Sequence, residues 1–214
     1  MIIVDIETVP EALFLKDPPE WFKESKLYPR PKLGNLVDPK KIEAKTVEWE
    51  ANGGAVKDLS VNPYTARPVV IGYKIDTAMV NTFIPSLENI RFFPGLIIQH
   101  LPLVTYNGKA FDIPVLMLWC ARNGLYKEAK MLSAFATNKY NHDTHLDLMT
   151  YLPGTEFQSL ELTAKLLGCT TEPYGDGSMV YGWYENRMES EIAKHCTADI
   201  ELTYEICQRT GVCQ

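Results

Sequence analysis

The chain has 214 residues, of which 46% are hydrophobic and 11% aromatic, enough for one globular domain with a full core and too apolar for a disordered chain. A formal net charge of -6 argues against a uniformly basic nucleic-acid binder, and no apolar run approaches the roughly eighteen residues of a membrane span. Five cysteines (Cys120, Cys169, Cys196, Cys207, Cys213) without a Cys-x-x-Cys pair argue against a structural zinc site and a disulfide framework. Free thiols are expected, in a soluble cytoplasmic protein whose start does not look like a signal peptide.

The β-branched run Ile2 to Thr8 predicts a buried strand, and Asp5 and Glu7, two apart, leave the same face of it. Two adjacent carboxylates in a core repel and lose hydration, so the pair asks for a cation, most economically a divalent metal. Alone, so short a pattern fits the solvent face of an edge strand better.

Val9-Pro10 stops that strand, and the stretch of about 16–62 reads as an insertion before the next one. Between Lys23 and Lys45 it holds seven basic and three acidic residues, a balance of +4, whereas 141–214 holds twelve acidic and four basic, a balance of -8. A helix is predicted from Pro39, with Asp38 as its N-cap, to about Glu50, ended by Asn52-Gly53-Gly54. Trp21, Phe22 and Tyr28 among the lysines make a mixture suited to tracking phosphates and stacking bases; a solvated helix and loop anchored by aromatics fits equally well.

A hairpin follows, with strands over 68–76 and 79–84 joined at Asp76-Thr77. A helix is predicted from Ser86 to about Leu101, broken near Pro94-Gly95, and then a short buried strand to Tyr106. In Asn107-Gly108-Lys109-Ala110-Phe111-Asp112 a turn leads into a helix that starts near Asp112. An N-capping role for Asp112 is the plain reading, although a carboxylate at a strand-to-helix junction also sits where ligands gather. The pattern over 123–141 is mixed, a short helix and a loop. Thr144 to Met149 is strand-like and carries Asp147. Ser159 caps a helix to Leu167, with Leu162 and Leu166 expected inward and Gly168 ending it. Tyr174 to Ser178 reads as an ordinary turn. The last helix, Glu189 to Gln208, turns Ile192, Cys196, Leu202 and Ile206 inward, and His195 and Asp199, spaced i and i+4, share that side.

Asp-x-Glu on the first strand, Asn-Gly-x-x-Phe-Asp at a later junction and His-x-x-x-Asp on the last helix, in that order, resemble the three motifs of the DEDD (DnaQ-like) superfamily of 3'-5' exonucleases. Asp5-Ile6-Glu7-Thr8-Val9-Pro10 and His145-Leu146-Asp147-Leu148 are similar to stand-alone proteins related to the exonuclease domain of family-B DNA polymerases. The resemblance implies an α/β, ribonuclease H-like fold: one domain over 1–214, with a mixed central sheet of three antiparallel strands and then parallel ones, flanked by helices. It implies metal-dependent hydrolysis at the 3' end of DNA, single strands favoured, to nucleoside 5'-monophosphates. An exoribonuclease or a non-catalytic nucleic-acid-binding module on the same fold are the alternatives, and any proofreading would serve a DNA polymerase in trans. Asp5, Glu7, Asp112 and Asp199 are the implied ligands of two Mg2+ or Mn2+ ions, His195 completes the catalytic set, and Thr8, Asn107 and Phe111 would touch substrate. Asp147 is a candidate for supporting the ligands. Phosphodiester hydrolysis calls for such a set on chemical grounds, since hard divalent ions prefer carboxylate oxygens. His195 departs from the pattern: the main branches have Tyr-x-x-x-Asp or His-x-x-x-x-Asp, and a histidine here takes the tyrosine spacing, which leaves its role in activating water open.

Overall fold

The run after Met1 forms β1 (Ile2–Pro10), the middle strand of the sheet, in a computed structural model that describes residues 1–136, 142–152 and 158–212. Both faces of β1 are covered, which is why it reads as nearly continuous apolar sequence. Ile2, Val4 and Ile6 enter one core and Ile3 and Val9 the other. Each fully buried isoleucine contributes on the order of 1.5–3 kcal/mol, enough to fix the strand's register.

Between β1 and the next strand lie α1 (Ala12–Leu15), α2 (Glu20–Lys23), α3 (Pro39–Ala51) and α4 (Gly54–Ser60). α3 starts as expected, with the Asp38 side chain accepting the Lys40 N–H and Pro39 in the first turn. The glycines expected to end it do more: Asn52 is its C-cap, Gly53 takes a left-handed φ of 65°, and Gly54 opens α4, a helix that the sequence reading missed. Of the aromatics in this stretch, Phe22 is buried among Phe14, Trp21 and Tyr28, while Trp21 is exposed.

The chain returns as β2 (Ala66–Ile75), antiparallel to β1 from Pro10↔Ala66 to Ile2↔Ile75 with a bulge at Glu7/Thr8, and then β3 (Asn81–Phe83), antiparallel to β2. A 3-10 turn over Asn89–Arg91 precedes α5 (Phe93–Gln99). The break expected at Pro94-Gly95 falls earlier, since Pro94 sits in the first turn of α5, where its missing N–H costs nothing. β4 (Leu103–Thr105) lies parallel to β1, followed by α6 (Asp112–Arg122), α7 (Tyr126–Ala136) and β5 (His145–Asp147), parallel to β4. The part of the expected 123–141 loop beyond 136 lies outside the described residues. The strand order is β3-β2-β1-β4-β5, three antiparallel strands and then two parallel ones, as expected.

After β5 come α8 (Leu148–Tyr151), α9 (Leu160–Leu166), α10 (Val180–Glu185) and α11 (Glu189–Thr210). Helices α5, α6 and α7 cover one face of the sheet and α9, α10 and α11 the other. Ser159 caps α9, but Leu162 is 43% and Leu166 74% exposed, against the inward placement expected. Thr163 and Ala164 face in instead, and the Thr163 hydroxyl pairs with the Tyr106 phenol at 2.6 Å. Cys120, Cys169 and Cys196 are free, but Cys207 is disulfide-bonded, correcting the expectation of free thiols throughout; Cys213 lies outside the described residues. No helix among the described residues is long and apolar enough to cross a membrane.

Candidate metal and active centre

Strand alternation turns Asp5 and Glu7 to the face of β1 that Ile3 shares, toward α11. Gly72 of β2 stands opposite Asp5. A Cβ there would come within 2.5 Å of Ile200 Cδ1 and 2.6 Å of Cys196 Sγ, so the missing side chain is what lets α11 lie so close. The Cys196 thiol then contacts the Asp5 carbonyl at 3.7 Å. One turn of α11 separates His195 from Asp199, and His195 Nε2 stands 3.7 Å from Glu7 Oε1 and 3.9 Å from Asp199 Oδ2.

Asp112 arrives from the other side. The described β1–β4 ladder ends at Ile3↔Val104, which leaves the edge of β1 beyond it open. There the Ile6 N–H donates to Asp112 Oδ1 at 3.1 Å. The N-cap of α6 is Phe111, and Asp112 is the first residue inside the helix, so the capping role read from the sequence is not where its carboxylate goes.

Crowding of acids in a desolvated place raises their pKa values. Burial lifts Asp5 and Glu7 well above the usual carboxylate range, and the neighbouring carboxylates add to it. Burial pushes Asp112 up to about 7 and Asp199 up to about 6, the latter against the opposing pull of His195. Asp5 Oδ2 is covered and has no hydrogen-bond partner among the described residues. An unpaired buried carboxylate oxygen costs several kcal/mol unless it stays protonated or meets a cation. Two groupings could hold one: Glu7, His195 and Asp199, and Asp5, Glu7 and Cys196, each with ligand atoms within 4.8 Å of one another. Each grouping joins two carboxylates, hard oxygen ligands of the kind divalent ions take, to an imidazole or a thiol.

Residues 87–214 match the family described as predicted 3'-5' exonucleases related to the exonuclease domain of PolB. The chain belongs to this family. The match takes in Asp112, Asp147, His195 and Asp199 and begins after β3, so Asp5 and Glu7 lie outside it. Among solved structures, the family B DNA polymerase from the hyperthermophilic archaeon Pyrobaculum calidifontis is similar in fold, with a TM-score of 0.58 and 14% identity. That similarity covers 97% of this chain, which spans 24% of the polymerase chain. The ribonuclease H-like architecture of the PolB exonuclease domain is therefore the fold of this chain as well. No curated protein matches it by sequence.

In this chain the remaining residues singled out from sequence have other contacts. The Thr8 hydroxyl donates to the Ser60 carbonyl at 2.8 Å, tying β1 to α4. Phe111 is partly buried against the first core, and Asn107 holds a left-handed φ of 67°. The loop between β4 and α6 is pinned from below. His145, pushed down to about 4 by burial, is neutral; its Nδ1–H donates to the Phe135 carbonyl at 2.8 Å. Its Nε2 then accepts the Thr105 hydroxyl at 2.8 Å, and Thr105 Oγ1 accepts the Gly108 N–H at 3.1 Å.

The sequence reading missed two contributors. Tyr174, in the turn dismissed as ordinary, offers its carbonyl to His195 Nδ1 at 2.6 Å. A carbonyl only accepts, so Nδ1 carries a proton, and Nε2 is the ring nitrogen that faces the acids. Trp183 lies 6.0 Å from the His195 ring and so close over Gly175 that a Cβ there would meet it at 2.5 Å. The glycine at 175 is the sequence signal of this close packing.

Proposed function

We propose that this chain is a divalent-metal-dependent 3'-5' exonuclease acting on the 3' end of DNA, single strands favoured, and releasing nucleoside 5'-monophosphates. One observation carries the reading: Asp5, whose covered Oδ2 meets no donor among the described residues, feels the carboxylates of Asp112 on α6 and Asp199 on α11. A fold gains nothing from that arrangement unless a cation or a phosphoryl group with its cations completes it.

In this reading Asp5, Glu7, Asp112 and Asp199 hold two divalent ions. Such ions, when bound, supply positive charge for the phosphoryl oxygens and make a water acidic enough to attack near neutral pH. Asp5 feels the charges of Asp112 and Asp199, and Glu7 that of Asp5, which would suit Asp5 to serve both ions. His195, with Nδ1–H held by the Tyr174 carbonyl, keeps Nε2 free to accept a proton from a water or to orient it. Asn107 and Phe111, on the loop beside Asp112, are the residues we assign to the terminal nucleotide, with Thr8 at the bulge of β1. We read the stretch of 16–62 as an insertion that guides the polynucleotide, with exposed Trp21 and the lysines of α3 as its contacts. A proofreading role would be exercised on the product of a polymerase in trans.

The test is incubation with Mn2+ or Mg2+ and labelled single- and double-stranded DNA and RNA. Stepwise shortening from the 3' end of single-stranded DNA, abolished by chelator, is expected. RNA shortened in preference to DNA would move the substrate assignment, and turnover undiminished in excess chelator would exclude the metal reading.

A further inference from the structure

Asp147 is 1% exposed, and its carboxylate accepts three backbone N–H groups. Its Oδ1 accepts the Asn107 N–H at 2.8 Å and its Oδ2 the Lys109 N–H at 3.0 Å. Oδ1 also accepts the Met149 N–H at 3.2 Å, capping α8. Left-handed Asn107 is what turns alternate N–H groups of the loop onto one carboxylate, making a small anion nest whose anion is a side chain of the same protein. Thr105, the last residue of β4, is paired with Asp147 across the sheet, so the loop leaves the strand directly above the carboxylate that holds it. Three residues past Lys109 comes Asp112, anchored in turn to Ile6 of β1. A carboxylate whose two oxygens are filled by three N–H groups has little capacity left for an ion or a water.

We infer that Asp147 is a positioning residue of the acidic centre: its carboxylate fixes the loop between β4 and α6 and thereby where Asp112 stands relative to β1. The inference rests on the exonuclease reading for its catalytic consequence, and it gives Asp147 no contact with substrate. Loss of the carboxylate should let the loop relax by a fraction of an ångström to an ångström, which at a two-ion centre lowers the rate of the chemical step and leaves substrate binding largely intact.

The experiment compares the full chain with Asp147→Asn, nearly identical in shape, whose amide group cannot accept the second loop N–H. The expected result is a kcat lower by on the order of 10- to 100-fold with KM changed less than about threefold. Hydrogen exchange should speed up at the amides of Asn107 and Lys109, while β1 and α11 keep their protection. Unchanged exchange at those amides, or faster exchange with kcat intact, overturns the inference. Should Asp147→Asn not fold, Gly108→Ala carries the test, because a Cβ at 108 would meet Thr105 Oγ1 at 2.5 Å and displace the same loop with Asp147 in place; full kcat in that variant overturns the inference too. A wild-type protein inactive on every polynucleotide overturns the exonuclease reading and this catalytic role with it, whereas active wild type beside equally active Asp147→Asn overturns the positioning role alone.

Discussion

Asp112 Oδ1 accepts the backbone N–H of Ile6 at 3.1 Å, joining two segments 106 positions apart in the sequence at the point where β1 has run out of its parallel neighbour. The bond supplies an acceptor to a buried N–H and draws a third carboxylate toward Asp5 and Glu7. Its two functions can be separated. An amide oxygen keeps the bond to Ile6, but a neutral amide is a poor ligand for a divalent ion. Asp112→Asn should therefore leave the metal-free fold as stable as wild type or more so, since burial disfavours the carboxylate there, and lower nuclease activity on the order of 10²-fold or more. Thermal unfolding in chelator and a single-turnover assay check the two halves; a folded variant with full activity would sink the assignment of Asp112.

The same residues show what a sequence carries and what it withholds. Strand alternation was enough to put Asp5 and Glu7 on one face, and helix periodicity enough to put His195 and Asp199 on another, because each depends on local geometry alone. That these faces meet depends on Gly72, sixty-seven positions from Asp5, whose role is visible only once β2 is paired and α11 is laid over it. The exposure of Leu162 and Leu166 is hidden from the sequence for the same reason. Hydrophobic spacing alone points Leu162 and Leu166 inward, but the polar Thr163 faces in to pair with the Tyr106 phenol, a contact set by tertiary packing. The Tyr174 carbonyl that orients His195 is a backbone atom, and no side-chain pattern announces it.

Gly72 supplies a direct test of how the centre is assembled. A methyl group at 72 must displace both Ile200 and Cys196, and overpacking a filled core costs about 1–3 kcal/mol. Gly72→Ala should lose about that much stability and, by pushing α11 off the sheet, lose activity as well. Cys196→Ala removes one of the two obstructing atoms. The double variant should recover part of the loss, giving a favourable coupling of about 0.5 kcal/mol or more in a double-mutant cycle read by denaturant unfolding. Strict additivity would mean that the thiol is not what Gly72 makes room for.

Raised carboxyl pKa values have a defined sign in the stability of the metal-free protein. With Asp112 near 7 and Asp199 near 6, and Asp5 and Glu7 also raised, the folded chain keeps protons that the unfolded chain has released above the ordinary carboxylate value of about 4. More protons bound in the native state means that stability falls as pH rises from about 4, through the values near 6 and 7 of Asp199 and Asp112, for as long as any of the four stays protonated in the native state. In chelator the melting temperature should accordingly be lower at pH 8 than at pH 5. Mn2+ binds the ionised ligands, so the stabilisation it confers should be larger at pH 8 than at pH 5. Calorimetry at the two pH values checks both, and an equal gain from Mn2+ at each would contradict a centre built from protonated acids.

Helix α3 is charged in the sense opposite to the one that stabilises a helix. Lys40 and Lys41 stand in its first turn, where the macrodipole favours anions, and Glu48 and Glu50 near its end, where cations are favoured; none of its residues is buried. Stability therefore gives no reason for this order, and binding a polyanion does. Lys40, Lys41 and Lys45 are exposed, clustered in the first two turns, and belong to the basic part of an otherwise acidic chain. Changing all three to glutamine should leave the melting temperature unchanged or slightly raised. If they contact phosphates, affinity for single-stranded DNA should drop, and the slope of log K against log salt should flatten by about 0.7 for each lysine, about 2 in all. Fluorescence anisotropy in Ca2+, which holds the carboxylates without supporting turnover, measures that slope at four or five salt concentrations. An unchanged slope would leave α3 without a part in holding the substrate.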